Sequence, residues 1–142
     1  MSLKKTLVFT LLSSLAMSQL SADPIDLEKL SGNWHLRVMD GMEVRKARAI
    51  LDFDANKMHI SGFDGCNRIN GTLETNSTNI MRAQLMSTRM ACRENIHRWV
   101  SKRLHETVNK GFSVREETKY GVEGITIKSS EHELFFKRME RD

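Results

Sequence analysis

The sequence predicts a mainly β (α+β) fold: one domain of about seven or eight short antiparallel strands packed on a single amphipathic helix at about residues 93–110. Two observations predict it. Apolar and polar residues alternate along most of the chain, the period of a half-buried strand. One late segment breaks that alternation: Ile96, Trp99, Val100, Leu104 and Val108 fall on a helical stripe. A length of 142 residues suits one domain, and 39% hydrophobic with 28% charged residues is the balance of a globular chain.

The first 22 residues stand apart. Lys4 and Lys5 precede an apolar run at 7–17, and small and polar residues follow. That is the layout of a secretory signal peptide, too short to span a bilayer, with cleavage expected near Ala22. Asp23, not cysteine, follows, so the expectation is a soluble periplasmic protein with no stable membrane anchor. Removing residues 1–22 takes away two lysines and no acid. Twenty basic and 18 acidic groups remain, a net of +2. No dense basic patch with interleaved aromatics appears, so no nucleic-acid partner is expected.

The single domain expected over 23–142 reads as strands in order. In NWHLRVM, Trp34, Leu36 and Val38 share one face; in ARAILDF, Ala47, Ala49, Leu51 and Phe53 do. DANK is a turn, and Met58 and Ile60 continue an inward face. NIMRAQLM (Met81, Ala83, Leu85), FSVRE (Phe112, Val114), GITIKS (Ile125, Ile127) and HELFFKRM (Leu134, Phe136) complete the alternation. Asp40-Gly41, Tyr120-Gly121 and Ser129-Ser130 are turn signals, and Gly62, Gly65 and Gly71 read as bulges or bends. Gly111 ends the helix as a left-handed cap. The helix is expected on the concave face of a curled sheet, with Trp34, Trp99, Phe53 and Phe136 filling the interior.

The two cysteines, Cys66 in SGFDGCNRINGT and Cys92 in LMSTRMACREN, carry the chemistry question. An exported chain meets an oxidising compartment, which favours a disulfide. Closing a loop of about 27 residues stabilises by about 3.5 kcal/mol. The competing reading is a thiol nucleophile at Cys66 or Cys92, with a helix N-terminus lowering the Cys92 pKa. His97 is the nearest base in sequence, but five helical positions point it to another side.

The remaining candidates read as structural. His35, His59, His97, His105 and His132 show no metal-ligand spacing, and His35, His59 and His132 fall on polar strand faces as solvated side chains. No metal, cofactor or catalytic residue is therefore assigned. Asp52 with Asp54, and Glu116 with Glu117, lack the apolar setting of an acid–base pair. In MSTRMAC, Thr88 is read as a cap, Met90 as core filler, and Arg89 as the partner of Asp64 or Glu94. A functional alternative makes Arg89 the centre of a binding spot beside Cys66. Asn76 and Asn70 stand in N-x-S/T sequons in expected turns, with Asn76 the candidate glycosylation site.

Taken together, G-x-W-x-L (Gly32, Trp34, Leu36), ISG-x-x-GCN-x-x-x-G (60–71), M-x-T-R-M-x-C (86–92) and a closing ELFFKR resemble the META domain, the family of the heat-shock protein HslJ. The resemblance implies a lipocalin-like β half-barrel packed on one helix. It implies a bacterial envelope protein of stress response, linked in some members to drug resistance. It implies no enzyme activity, cofactor or ligand. The matching residues are Gly65, Cys66, Asn67, Gly71, Thr88, Arg89, Met90 and Cys92. The expectation is a non-catalytic monomer that acts by binding a protein partner of the envelope. The rivals are a lipocalin-like binder of small apolar ligands and a thiol-dependent redox enzyme.

Overall fold

The computed structural model describes residues 25–139. The expected signal peptide at 1–22, with its cleavage near Ala22, lies outside the described residues. In chain order the elements are α1 (Leu27–Leu30), β1 (Gly32–Met39), β2 (Met42–Glu43), a 3-10 turn (Arg45–Ala47), β3 (Ile50–Asp54), β4 (His59–Phe63) and β5 (Arg68–Thr72). Then come β6 (Glu74–Thr75), β7 (Met81–Arg82), β8 (Met86–Ser87), α2 (Asn95–Lys110), β9 (Ser113–Lys119), β10 (Val122–Lys128) and β11 (Glu133–Arg138).

Nine strands form one open antiparallel sheet in the order β8-β5-β4-β3-β1-β11-β10-β9, with β2 also paired to β1; β6 and β7 form a separate ribbon. Seven of the strands are five residues or longer, and all of these but β5 coincide with segments whose alternation is visible in the sequence. The two-residue strands β2, β6, β7 and β8 are too short to show a period. The expected strand NIMRAQLM divides into β7 and β8 because its backbone serves two partners. Met81 exchanges hydrogen bonds with Phe112 at 2.8 Å each way, and the Ala83 N–H donates to Val108 O at 3.1 Å. Two residues on, the Leu85 N–H donates to Asn109 Oδ1 at 3.0 Å. Met86 then pairs with β5. This strap runs from the end of α2 to the opposite sheet edge.

Val100, Leu104 and Val108 of α2 join the inward residues of the sheet in one core with Trp34, Phe53 and Phe136. Trp99 departs from expectation: it is only partly buried at the rim, with the Arg103 guanidinium 4.2 Å over its ring. Phe112, 1% exposed, is a further interior aromatic. The helix starts at Asn95, after an extended Glu94. Gly111 has φ 116° and ψ 141°, so it ends the helix by turning the chain extended, not by a left-handed cap.

Asp40-Gly41 and Tyr120-Gly121 both have positive φ at the two central residues, the geometry of tight hairpins with right-handed twist. Gly62 and Gly71 are close-approach positions and not bulges, for the pairing register runs through both unbroken. A Cβ at Gly71 would meet Gln84 O of the strap at 2.8 Å. At Gly62, with φ 147°, it would lie 2.0 Å from Ile50 O. Gly62→Ala is therefore expected to destabilise the protein by about 3 kcal/mol, through strain and forced strand separation. Urea unfolding checks this, and a loss below about 1 kcal/mol would refute the close approach.

Candidate functional site

The loop between β4 and β5 begins with Asp64, which is 0% exposed. Its Oδ1 accepts the N–H groups of Cys66 and Asn67, each at 2.7 Å, an Asx turn closed on itself. Its Oδ2 lies 2.7 Å from His105 Nε2 on α2. Burial by itself raises the Asp64 carboxyl. The hydrogen bonds from His105, the two backbone N–H groups and Ser101 outweigh it and hold the group below its usual range.

That turn aims Cys66 at Cys92, and the two are joined as a disulfide with Cα atoms 4.8 Å apart. Neither sulfur is a free thiol. Asn67 and Thr88 link the two motif segments beside it. Asn67 Oδ1 accepts from Met90 N–H at 2.5 Å and from the Thr88 hydroxyl at 3.1 Å. In the other direction, the Arg68 N–H donates to Thr88 Oγ1 at 3.2 Å. Thr88 is thus a cross-strand link and not a helix cap. His97 reaches back through Nδ1 to Gly65 O at 2.8 Å.

Two further expectations for MSTRMAC fail. Met90 is 69% exposed and fills no core gap. Arg89 pairs with neither proposed acid, because Asp64 holds His105 and Glu94 holds Lys46 at 2.9 Å. Met86 is likewise exposed, at 65%. Asn76 sits in the exposed turn between β6 and β7, where its Oδ1 accepts from the Thr78 hydroxyl at 2.8 Å. Asn70 lies within β5, paired on both sides, and not in a turn.

A second polar centre escaped the sequence reading. His132 is not solvated: its side chain is 8% exposed. Nδ1 lies 2.9 Å from Asp40 Oδ2, and Nε2 lies 2.7 Å from Glu106 Oε2. Arg103 donates to the same Asp40 oxygen at 2.8 Å, and the Glu133 N–H donates to Asp40 Oδ1 at 2.8 Å. Burial raises the Asp40 carboxyl, and these donors hold it low. Polar residues at separate places in the chain meet here, so no local spacing announces them.

Two adjoining grooves lie on the outer face of the sheet and share Val38, Gly41, Tyr120 and Phe135. One, of about 480 Å³, runs along Asp40 and the 128–133 turn. The other, of about 380 Å³, has Val38, Val122, Tyr120 and Phe135 as its apolar wall, with Arg37, Glu43 and Arg45 at its rim. Phe135 points outward yet is 3% exposed, covered in part by the Tyr120 ring at 6.2 Å between centroids.

The META domain matches residues 26–140, which is most of the chain. The chain belongs to the META domain family. Two solved structures share its fold. One, described only as an NMR structure of the protein, has a TM-score of 0.65 at 22% identity and covers 80% of this chain and 95% of that one. The other, an NMR structure of a protein from Burkholderia xenovorans, has a TM-score of 0.60 at 22% identity and covers 84% and 92%. No curated protein matches the chain. In this META domain the GCN and STRM motifs form one hydrogen-bonded corner around the disulfide.

The Asp64 carboxyl gives this corner a pH signature. A carboxyl lowered on folding contributes stability that is fully present above its unfolded value, near 3.8, and lost as pH falls through the folded value below that. Asp64→Asn is expected to cost about 2 kcal/mol at neutral pH and to flatten this acid limb. Urea midpoints measured from neutral pH down to about pH 2.5 check both. An unchanged acid limb in the variant would assign it to other groups.

Proposed function

We propose that this META-domain protein is an exported, non-catalytic HslJ-like component of the bacterial envelope stress response, and that it acts by binding a protein partner through its outer face. The observation that carries the reading is the division of labour between the two faces. The inner face is filled by its own core, from Trp34 and Leu51 to Phe136, and both sulfurs are consumed in the disulfide. The outer face carries a groove whose apolar wall is rimmed by two arginines and a glutamate. An apolar wall with a few charged groups at its edge suits an apolar side chain carried on a polar partner.

A disulfide persists in an oxidising compartment, which supports export. Among the described residues no helix is long and apolar enough to cross a membrane.

Two experiments test the proposal. The intact mass of the protein recovered from the periplasm, with and without reductant, is expected to begin at Asp23 and to accept alkylation only after reduction. An unprocessed chain with two alkylatable thiols would end the export reading. Val122→Glu places a charge in the groove wall. In a strain lacking the protein it is expected not to restore heat or antibiotic tolerance, whereas Lys57→Glu in the exposed β3–β4 turn restores it. Full restoration by a folded Val122→Glu protein would remove the groove from the function.

A further inference from the structure

At the edge of the larger groove, His132 stands between two carboxylates, Asp40 at Nδ1 and Glu106 at Nε2. Carboxylates only accept hydrogen bonds, and a neutral imidazole has one N–H. In the neutral ring with its proton on Nδ1 toward Asp40, 2.9 Å away, the Nε2 lone pair faces Glu106 Oε2 at 2.7 Å, the place where a cation can stand in for a proton. The His132 side chain is 8% exposed. A second carboxylate converges on the same place. Ligand atoms of Glu106, Glu131 and His132 all lie within 4.8 Å of one another. Lys110 stands beside Glu131, its Nζ 3.0 Å from each carboxylate oxygen.

We infer that His132 Nε2, Glu106 and Glu131 form a binding site for a first-row divalent cation, with Zn²⁺ the leading choice. One imidazole and two carboxylates suit that class of ion, with a fourth position left to water on the groove side. Asp40 is the outer partner that such sites need. It holds the Nδ1–H tautomer and so directs the Nε2 lone pair at the metal. Arg103 and the Glu133 N–H in turn fix Asp40.

Zinc bonds of about 2.0–2.2 Å place tetrahedral ligand atoms roughly 3.3 Å apart. The 2.7 Å contact therefore opens by about half an ångström on binding, by rotation of the partly exposed Glu106 side chain. Lys110 leaves Glu131 at the same time. The ion would tie α2, through Glu106, to the turn before β11, through Glu131 and His132, and so stabilise the fold by mass action.

The chelator-treated mature protein, titrated with ZnCl₂ against a chromophoric competitor, tests this. One equivalent is expected to bind, with a rise in Tm, and Co²⁺ is expected to give the visible absorption of a low-coordinate site. Glu131→Gln and Glu106→Gln alter surface side chains, so their metal-free Tm reports whether they fold. Each is expected to weaken binding at least about tenfold, and Asp40→Asn about 10–100-fold. Failure to bind one equivalent below about 100 µM Zn²⁺ would overturn the inference. So would binding unchanged in both glutamine variants, which would place the ion on other histidines. Nitrogen-15 spectra provide an independent check: two ring N–H signals on His132 that persist under zinc would make it a doubly protonated clamp and no metal ligand.

Discussion

Asp64 is a carboxylate removed from water where the β4–β5 loop, the disulfide and the helix meet. A buried charge is tolerable only if its lone pairs are filled. The donors come from the loop itself, through Cys66 and Asn67, and from His105 on α2. Moving the helix would unpair the carboxylate, and moving the loop would break the turn that presents Cys66 to Cys92. The covalent bond and the buried charge therefore constrain one another. The motif residues Asn67 and Thr88 extend the same corner to β8 and the chain beyond it.

The strap explains how an open sheet encloses a core. Its two edges, β8 and β9, do not pair with each other. Residues 81–87 cross from one side to the other, giving backbone hydrogen bonds to Phe112, Val108 and Asn109 and then to β5. Helix α2 fills the space beneath. Because the interior is taken up in this way, the Phe135 grooves and the His132 cluster beside them lie on the outer side of the sheet.

Much of this was legible in the sequence. Strand alternation located six of the seven long strands and missed β5, whose inward positions are only Ile69 and Gly71, and the 3.6-residue stripe located α2 to within two residues. The glycine turns and the cysteine pair were readable because each depends on local chemistry. Trp99 was misplaced because periodicity reports which side of a helix is apolar, not how far each residue lies from its rim. The exposure of Met90 followed from a corner whose hydrogen bonds use backbone and Asn67, leaving that side chain nothing to fill. His132 alternates correctly as an outward residue, but Asp40, Arg103 and Glu106 cover it from elsewhere in the chain. Asp64 did carry a readable signal, an acid two residues before the cysteine, as an Asx turn requires.

The pairing of β1 with β11 has a consequence for how the molecule assembles. β1 lies in the middle of the sheet only because the last strand in chain order docks against it, between β1 and β10. Every other strand and the long helix are made in between. Non-local pairing of this kind slows folding, since the closure of a long loop precedes any reward from the contact. Until β11 arrives, β1 is an unprotected edge with the apolar residues Trp34 and Leu36 along it, a template for pairing with another chain. The nascent protein thus spends its most aggregation-prone interval with its central strand waiting for its final one.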